Sequence, residues 1–146
     1  MIYSLAYYST SCVPGLNLGS SGEIMKILRV ARSRNRAAGV TGALLFNADR
    51  FVQVIEGSKT AVDEIFASIQ RDPRHSHITV FMTEDKSERH FETWSMAFAG
   101  RSAEALKYYL YLTRQLGFRW EDLDNPALCQ MIFTMMNFDR MGHLSI

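Results

Sequence analysis

The chain has 146 residues, 47% of them hydrophobic and 21% charged, enough for one globular domain whose core needs no disulfide or metal staple. Its formal net charge of +1, with Lys and Arg scattered, leaves no electrostatic case for nucleic acid or an acidic membrane as partner. No apolar run approaches the ~18 residues of a membrane span, and no basic segment leads into an apolar stretch at the start, so neither a spanning helix nor a signal peptide is expected.

Ile2 to Tyr8, rich in aromatic and β-favouring residues, predicts a first strand. A Pro/Gly/Ser loop from Cys12 to Gly22 follows, in which Ser20 and Glu23 make a capping box for a helix start. Ile24, Ile27, Leu28 and Ala31 recur at helical spacing, and Asn35 extends that buried stripe about three turns beyond Ile24. Arg29, Arg32, Arg34 and Arg36 read as the solvated side of this helix, and Gly39 suits the turn out of it. Val40 to Phe46 and Phe51 to Glu56 predict two strands joined by the hairpin-length Asn47 to Arg50. Thr60 to Gln70 predicts a second helix with Val62, Ile65, Phe66 and Ile69 on one face, stopped by Pro73. His77 to Thr83 and Trp94 to Phe98 read as the last strands, with a charged loop from Glu84 to Phe91 between them.

This β-α-β-β-α-β order plus one strand is an α+β, ferredoxin-like plan with both helices on one face of the sheet. The other face would leave an apolar patch unless something covered it. Ala103 to Leu116 reads as helical, and Asn125 as N-cap with Pro126 as N1 starts a further helix. Residues 1–100 are therefore expected to form the core, and residues 101–146 a helical cap of the same domain.

Cys12 and Cys129 share no metal-ligand spacing and read as free cytoplasmic thiols. His75, His77, His90 and His143 form no i, i+4 pair, so no metal site is expected. Gln53 is more informative. Phe51, Val52, Val54 and Ile55 surround it, so its amide should be out of water, where each unpaired group costs about 1–3 kcal/mol. Strand alternation gives Leu5 and Tyr7 one face and Ala6 and Tyr8 the other, while Phe51, Gln53 and Ile55 share a face. With the first and third strands as central neighbours, the Tyr7 phenol can reach the Gln53 amide beneath the helix carrying Asn35. On the residues alone, the alternative is a polar pair that merely satisfies itself in a core.

Five blocks occur in order: Tyr7-Tyr-Ser9, Asn35 with Gly39-Val-Thr-Gly42, Phe51-Val-Gln-Val-Ile-Glu-Gly57, Arg71-Asp-Pro-Arg-His75 and Phe91-Glu-Thr-Trp-Ser-Met96. Together they resemble the BLUF family, blue-light sensors that use flavin, over roughly residues 1–100. The resemblance implies that Tyr7 is the electron donor to a photoexcited flavin and Gln53 the switching amide beside the ring. It implies that Asn35 holds the ring's polar edge and that Ile27 and Ile69 sandwich the ring system. Arg74 and His75 match a position near the ring's other carbonyl and the ribityl-phosphate side, and Trp94 and Met96 match the signal-relay strand. FAD is the implied cofactor, with FMN or riboflavin as alternatives. Arg34 departs from the pattern: relatives often carry Asn or His there, beside the flavin-binding Asn, so the resemblance implies that one ring contact is lost or altered.

The expected function is a cytoplasmic blue-light photoreceptor, not an enzyme, that signals through protein contacts. The competing readings are a flavin-dependent oxidoreductase and a flavin-free interaction module. Lys107 to Leu116 and Cys129 to Phe138 are apolar around their circumference, which points to homo-oligomer contacts or an unidentified downstream signalling protein there.

Overall fold

The computed structural model describes residues 1–12, 21–47, 50–91, 96–99, 103–117 and 119–144. The elements are β1 (Ile2–Ser11), α1 (Ser21–Ala38), β2 (Thr41–Asn47), β3 (Arg50–Gly57), α2 (Lys59–Gln70), β4 (His75–Lys86), β5 (Ala97–Ala99), α3 (Ala103–Leu110) and α4 (Asn125–Leu144). They build one five-stranded sheet in the order β4-β1-β3-β2-β5, the α+β, ferredoxin-like arrangement expected from the sequence. The β1–β3, β1–β4 and β2–β3 pairs are antiparallel, and β5 joins β2 in parallel.

Both faces of the central strands are covered, and β3 is buried from Phe51 to Gly57. One face packs Leu5, Leu44 and Ile55 against Leu28 and Ala31 of α1 and Val62, Ile65 and Ile69 of α2. The opposite face packs Ala6, Ala43, Leu45, Val52 and Val54 against Leu128, Ile132 and Met135 of α4, with Tyr109 and Trp120 beside them. Each such side chain, taken wholly from water, contributes roughly 1.5–3 kcal/mol, so the strand parity of β1 and β3 is strongly held. Two glycines serve this packing. Gly39 adopts φ +70 at the exit of α1, and a Cβ on Gly42 would collide with the Val54 carbonyl across the β2–β3 ladder.

Several boundaries differ from those predicted. β4 runs from His75 to Lys86 because it follows β1 along nearly its whole length, from Ile2↔Lys86 to Ser11↔His75. The ladder slips between Tyr8 and Thr10, and His77 there takes a left-handed φ of 55, as a bulge requires. β5 is shorter than predicted, and Trp94 lies outside the described residues. The predicted helix from Ala103 ends at Leu110 and continues as a wide π-type turn, Tyr111–Gln115, where the Thr113 hydroxyl donates to the Tyr109 carbonyl. At α4, Asp124 rather than Asn125 makes the capping bond, its Oδ1 accepting from Ala127 N at 2.9 Å. The Asn125 side chain is instead buried and donates to Ser4 Oγ of β1, while its own Oδ1 accepts from the Cys129 thiol. Burial pushes that thiol up to about 12, so it stays protonated and serves as a donor. The capping box at Ser20 lies outside the described residues. Among the described residues, no helix is long and apolar enough to cross a membrane.

A buried carboxylate organises the connection after β4. Glu56 is fully buried on the cap-facing side of β3, and its Oε1 accepts from the backbone N–H of His90 (2.8 Å) and Phe91 (2.9 Å). Its Oε2 is ion-paired with Lys86. Arg89 adds donors to Thr41 Oγ1, the Glu56 carbonyl and the Gly39 carbonyl. The charged loop is therefore clamped to β2 and β3 by both ends of Glu56. It delivers the buried Phe91 ring against Phe133 of α4, with centroids 5.4 Å apart.

Candidate functional site

The first and third strands place Tyr7 and Gln53 directly opposite each other in the β1–β3 ladder. Both are buried on the face covered by α1 and α2, and the Tyr7 hydroxyl donates a hydrogen bond to Gln53 Oε1. Tyr8 faces the other way, against Phe81 and under the Arg50 guanidinium. The Gln53 Nε2 donates to the Met96 sulfur at 3.6 Å. A thioether is a weak acceptor, so this amide is held firmly at its oxygen end and loosely at its nitrogen end. Met96 is buried, and its carbonyl accepts from Arg32 Nε of α1 at 2.9 Å.

Above this pair lies a partly open cleft with a cavity volume of about 60 Å³. That is smaller than the roughly 300–1,000 Å³ of filled cofactor sites, so a ring that enters here must part the walls. Ile27, Val30 and Ala31 of α1 form one wall, Ile69 of α2 and Phe51 contribute further apolar surface, and Tyr7 and Gln53 lie at its floor. The polar end holds Arg34, Asp72, Arg74 and His75. Of the predicted site residues, the fold thus brings Tyr7, Ile27, Gln53, Ile69, Arg74 and His75 to one cleft. Asn35 is fully buried on α1 next to Arg34 and is not part of the cleft lining.

Burial pushes the Tyr7 phenol well above its usual range, and the Arg34 positive charge draws it partly back. Tyr7 is therefore a neutral donor at any ordinary pH. Asp72 accepts from Arg74 through both oxygens, Nη2–Oδ2 being 2.6 Å, and this pairing holds its carboxyl below the usual range. His75 Nε2 donates to the Ile69 carbonyl at 2.8 Å, and Nδ1 shares a 2.7 Å hydrogen bond with the buried Ser9 hydroxyl. That chain fixes the ring edge-on to Tyr7 and Phe51.

Sequence reasoning missed three contributors. Ser9 orients His75, Asp72 orients Arg74, and Arg34 turns into the cleft, where helix periodicity gave it a solvated side and only the family resemblance marked its position. Arg29 and Arg36 are exposed as expected, but Arg34 is only part-exposed and its Nε is wholly buried without a hydrogen-bond partner among the described residues. The pairing of Asp72 with Arg74 two residues on was readable as an Asx-type turn. The inward turn of Arg34 had no periodic signal.

A flavin fits this set of residues. Its flat aromatic ring asks for apolar walls, and its carbonyl and nitrogen edge asks for polar donors, which the lining residues Gln53, Arg34 and Arg74 carry. Among the described residues, no group of three His, Cys, Asp or Glu side chains could hold a metal ion.

Comparison with known proteins bears on the same face. The family model described as BLUF, sensors of blue-light using FAD, matches residues 2–97. The chain is 33% identical over 109 residues to the photoactivated adenylate cyclase subunit beta of Euglena gracilis, covering 71% of this chain and 13% of that protein. It thus spans about one-eighth of the length of that curated relative. Among solved structures, the dark state of BlrB, a BLUF protein, superposes with a TM-score of 0.71 at 35% identity, covering 91% of this chain and 96% of that one. The photo-activated state of BlsA gives a TM-score of 0.74 at 26% identity, covering 93% and 95%.

Proposed function

The chain belongs to the BLUF family, the sensors of blue light using FAD, and from that membership we propose that Tyr7 and Gln53 are the light-driven hydrogen-bond switch of this flavin-binding blue-light receptor. The observation that carries the proposal is the buried Tyr7–Gln53 hydrogen bond on the floor of an apolar cleft, with the amide's other end on a weak thioether acceptor. Bound flavin supplies the absorption of blue light and, once excited, a strong oxidant. Tyr7 is the electron donor, and Gln53 Oε1, already hydrogen-bonded to the phenol, is the acceptor for its proton. The Gln53 amide is nearly isosteric under rotation or tautomerisation, so it exchanges donor and acceptor ends without repacking its neighbours. A new donor at the ring's carbonyl edge moves the absorption to longer wavelength. Ile27 and Ile69 would flank the ring, Arg74 and His75 would hold its polar end and its ribityl side, and Asn35, buried behind the lining beside Arg34, would come to that edge only with a shift of α1. Met96, with Trp94, relays the change through β5.

FAD is the proposed resident flavin, with FMN or riboflavin able to use the same ring site. Purified protein is expected to be yellow and to shift its visible bands to longer wavelength under blue light, reverting in darkness. Flavin-loaded protein with identical light and dark spectra would overturn this reading.

We read residues 1–100 as the sensory core and residues 101–146 as its cap, in a cytoplasmic, non-enzymatic protein that signals by contact with a downstream partner. Self-association through the cap is supported by Tyr111 and Leu116, which are 53% and 62% exposed on it. Light scattering is expected to give a smaller species for the Tyr111→Glu, Leu116→Glu double variant than for the unmodified protein. Equal sizes would exclude this patch as the interface.

A further inference from the structure

We propose that Arg32 is a positioning residue of the light switch: its guanidinium anchors the Met96 backbone so that the Met96 sulfur faces Gln53 Nε2, and in doing so it shortens the life of the light-induced state. This role rests on the Tyr7–Gln53 reading above and goes beyond it, because Arg32 belongs neither to the sequence blocks nor to the cleft lining. Arg32 stands on α1 directly after Ala31, which does line the cleft. Its side chain is half-buried, whereas Arg29 and Arg36 on the same helix are exposed. Its Nε donates to the Met96 carbonyl at 2.9 Å, a contact that joins residues 64 positions apart.

Met96 stands where such an anchor matters. β5 is only three residues long and pairs with β2 through Ala43↔Ala97, Leu44↔Phe98 and Leu45↔Ala99. Met96 comes one position before the first of these pairs, at the frayed entry to a short edge strand. A hydrogen bond from an ionised donor on α1 is a stronger restraint there than one more neutral contact would be. The same residue meets the switch through its side chain, whose buried sulfur accepts from Gln53 Nε2 at 3.6 Å. Fixing the Met96 carbonyl therefore fixes what the amide faces. In this arrangement a donor meets the thioether. When the amide turns, Oε1 takes the place of Nε2, and a thioether has no proton to offer it. Two acceptors then oppose each other unless Met96 withdraws. The Arg32 bond resists that withdrawal, so the turned amide keeps an unfavourable neighbour and reverts sooner.

Full-length protein loaded with FAD is compared as wild type, Arg32→Gln, Arg32→Lys and the exposed control Arg29→Gln, each alone and combined with Met96→Leu. One readout is the rate at which the red-shifted state reverts in darkness. The other is hydrogen exchange over residues 96–99 in flavin-free protein kept dark. Arg32→Gln is expected to slow reversion about tenfold and to speed that exchange. Arg32→Lys is expected to restore part of both, because an ammonium still donates to the carbonyl without the planar guanidinium geometry. Arg29→Gln is expected to change neither. Combined with Met96→Leu, Arg32→Gln is expected to alter reversion by less than about twofold, since no sulfur is left to oppose the turned amide, whereas a merely loosened fold would give the same factor in both backgrounds. A normal red shift in Arg32→Gln with reversion as fast as wild type, or faster, would overturn the proposal while leaving the photoreceptor reading standing. Equal slowing in Arg29→Gln, or the same factor with Met96→Leu, would overturn it in favour of a general charge or stability effect. Unchanged exchange over residues 96–99 would overturn the anchoring itself. Failure of loaded wild type to shift at all would overturn both readings together.

Discussion

Gln53→Leu is expected to abolish the light-induced red shift while leaving a folded, yellow protein. Leucine keeps nearly the volume of glutamine in the packed space between Phe51, Ile55 and Met96, so no cavity opens. It removes every donor and acceptor from the floor of the cleft. The Tyr7 hydroxyl then loses its acceptor inside a buried site, at a cost of about 1–3 kcal/mol, which the fold can bear but a melting curve will register. Tyr7→Phe attacks the same bond from the other side. It removes the phenol oxygen and with it the easily oxidised group, so the reversible red-shifted state should again be missing. Tyr8→Phe should leave the photocycle intact, because Tyr8 faces Phe81 and Arg50 on the opposite side of the sheet. Light-minus-dark difference spectra separate the three variants. A normal red shift in Gln53→Leu would remove Gln53 from the switch, and a silent Tyr8→Phe would reverse the assignment of the two tyrosines.

Glu56→Leu is expected to carry the largest stability loss in the chain. Three donors converge on this carboxylate: two backbone N–H groups and the Lys86 ammonium, whose side chain is 10% exposed. Removing one partner of a buried ion pair costs about 3–5 kcal/mol, because the remaining charge stays out of water. For a domain of this size that lowers the melting temperature by about 10 °C or more. Glu56→Gln should lose less, since its Oε1 still accepts from His90 and Phe91. Adding Lys86→Met to Glu56→Gln should recover much of the loss by removing the stranded ammonium. Denaturation of the three variants tests this ordering, and a Glu56→Leu protein as stable as wild type would show the clamp to be dispensable. The clamp also bears on signalling. It holds Phe91 against Phe133 of α4, five residues before Met96 meets Gln53, so a weakened clamp should show in the photocycle as well as in the melt.

Much of this molecule was determined by its sequence alone, and the reason is periodicity. Alternation along Leu5-Ala-Tyr-Tyr8 and Phe51-Val-Gln-Val-Ile55 assigns each side chain to a face, because a one-residue slip would expose an entire apolar set. The helical recurrence of Val62, Ile65 and Ile69 does the same for α2. Those two patterns, with the order of the elements, were sufficient to put Tyr7 opposite Gln53 and to require a second cover for the sheet. Tertiary structure alone decided the polar partnerships, because they obey no period and join residues far apart in the chain. Glu56 finds His90 and Phe91 more than thirty positions on, and Asn125 leaves its expected capping role to Asp124 in order to reach Ser4. Ser9 meets His75 only because β4 follows β1 nearly to its end. Arg34 lies among arginines that look alike in the sequence, and its inward turn depends on where α1 lies over the sheet. A charged side chain one position from a buried stripe can snorkel to water or close over a cleft, and which it does is a property of the packing around it.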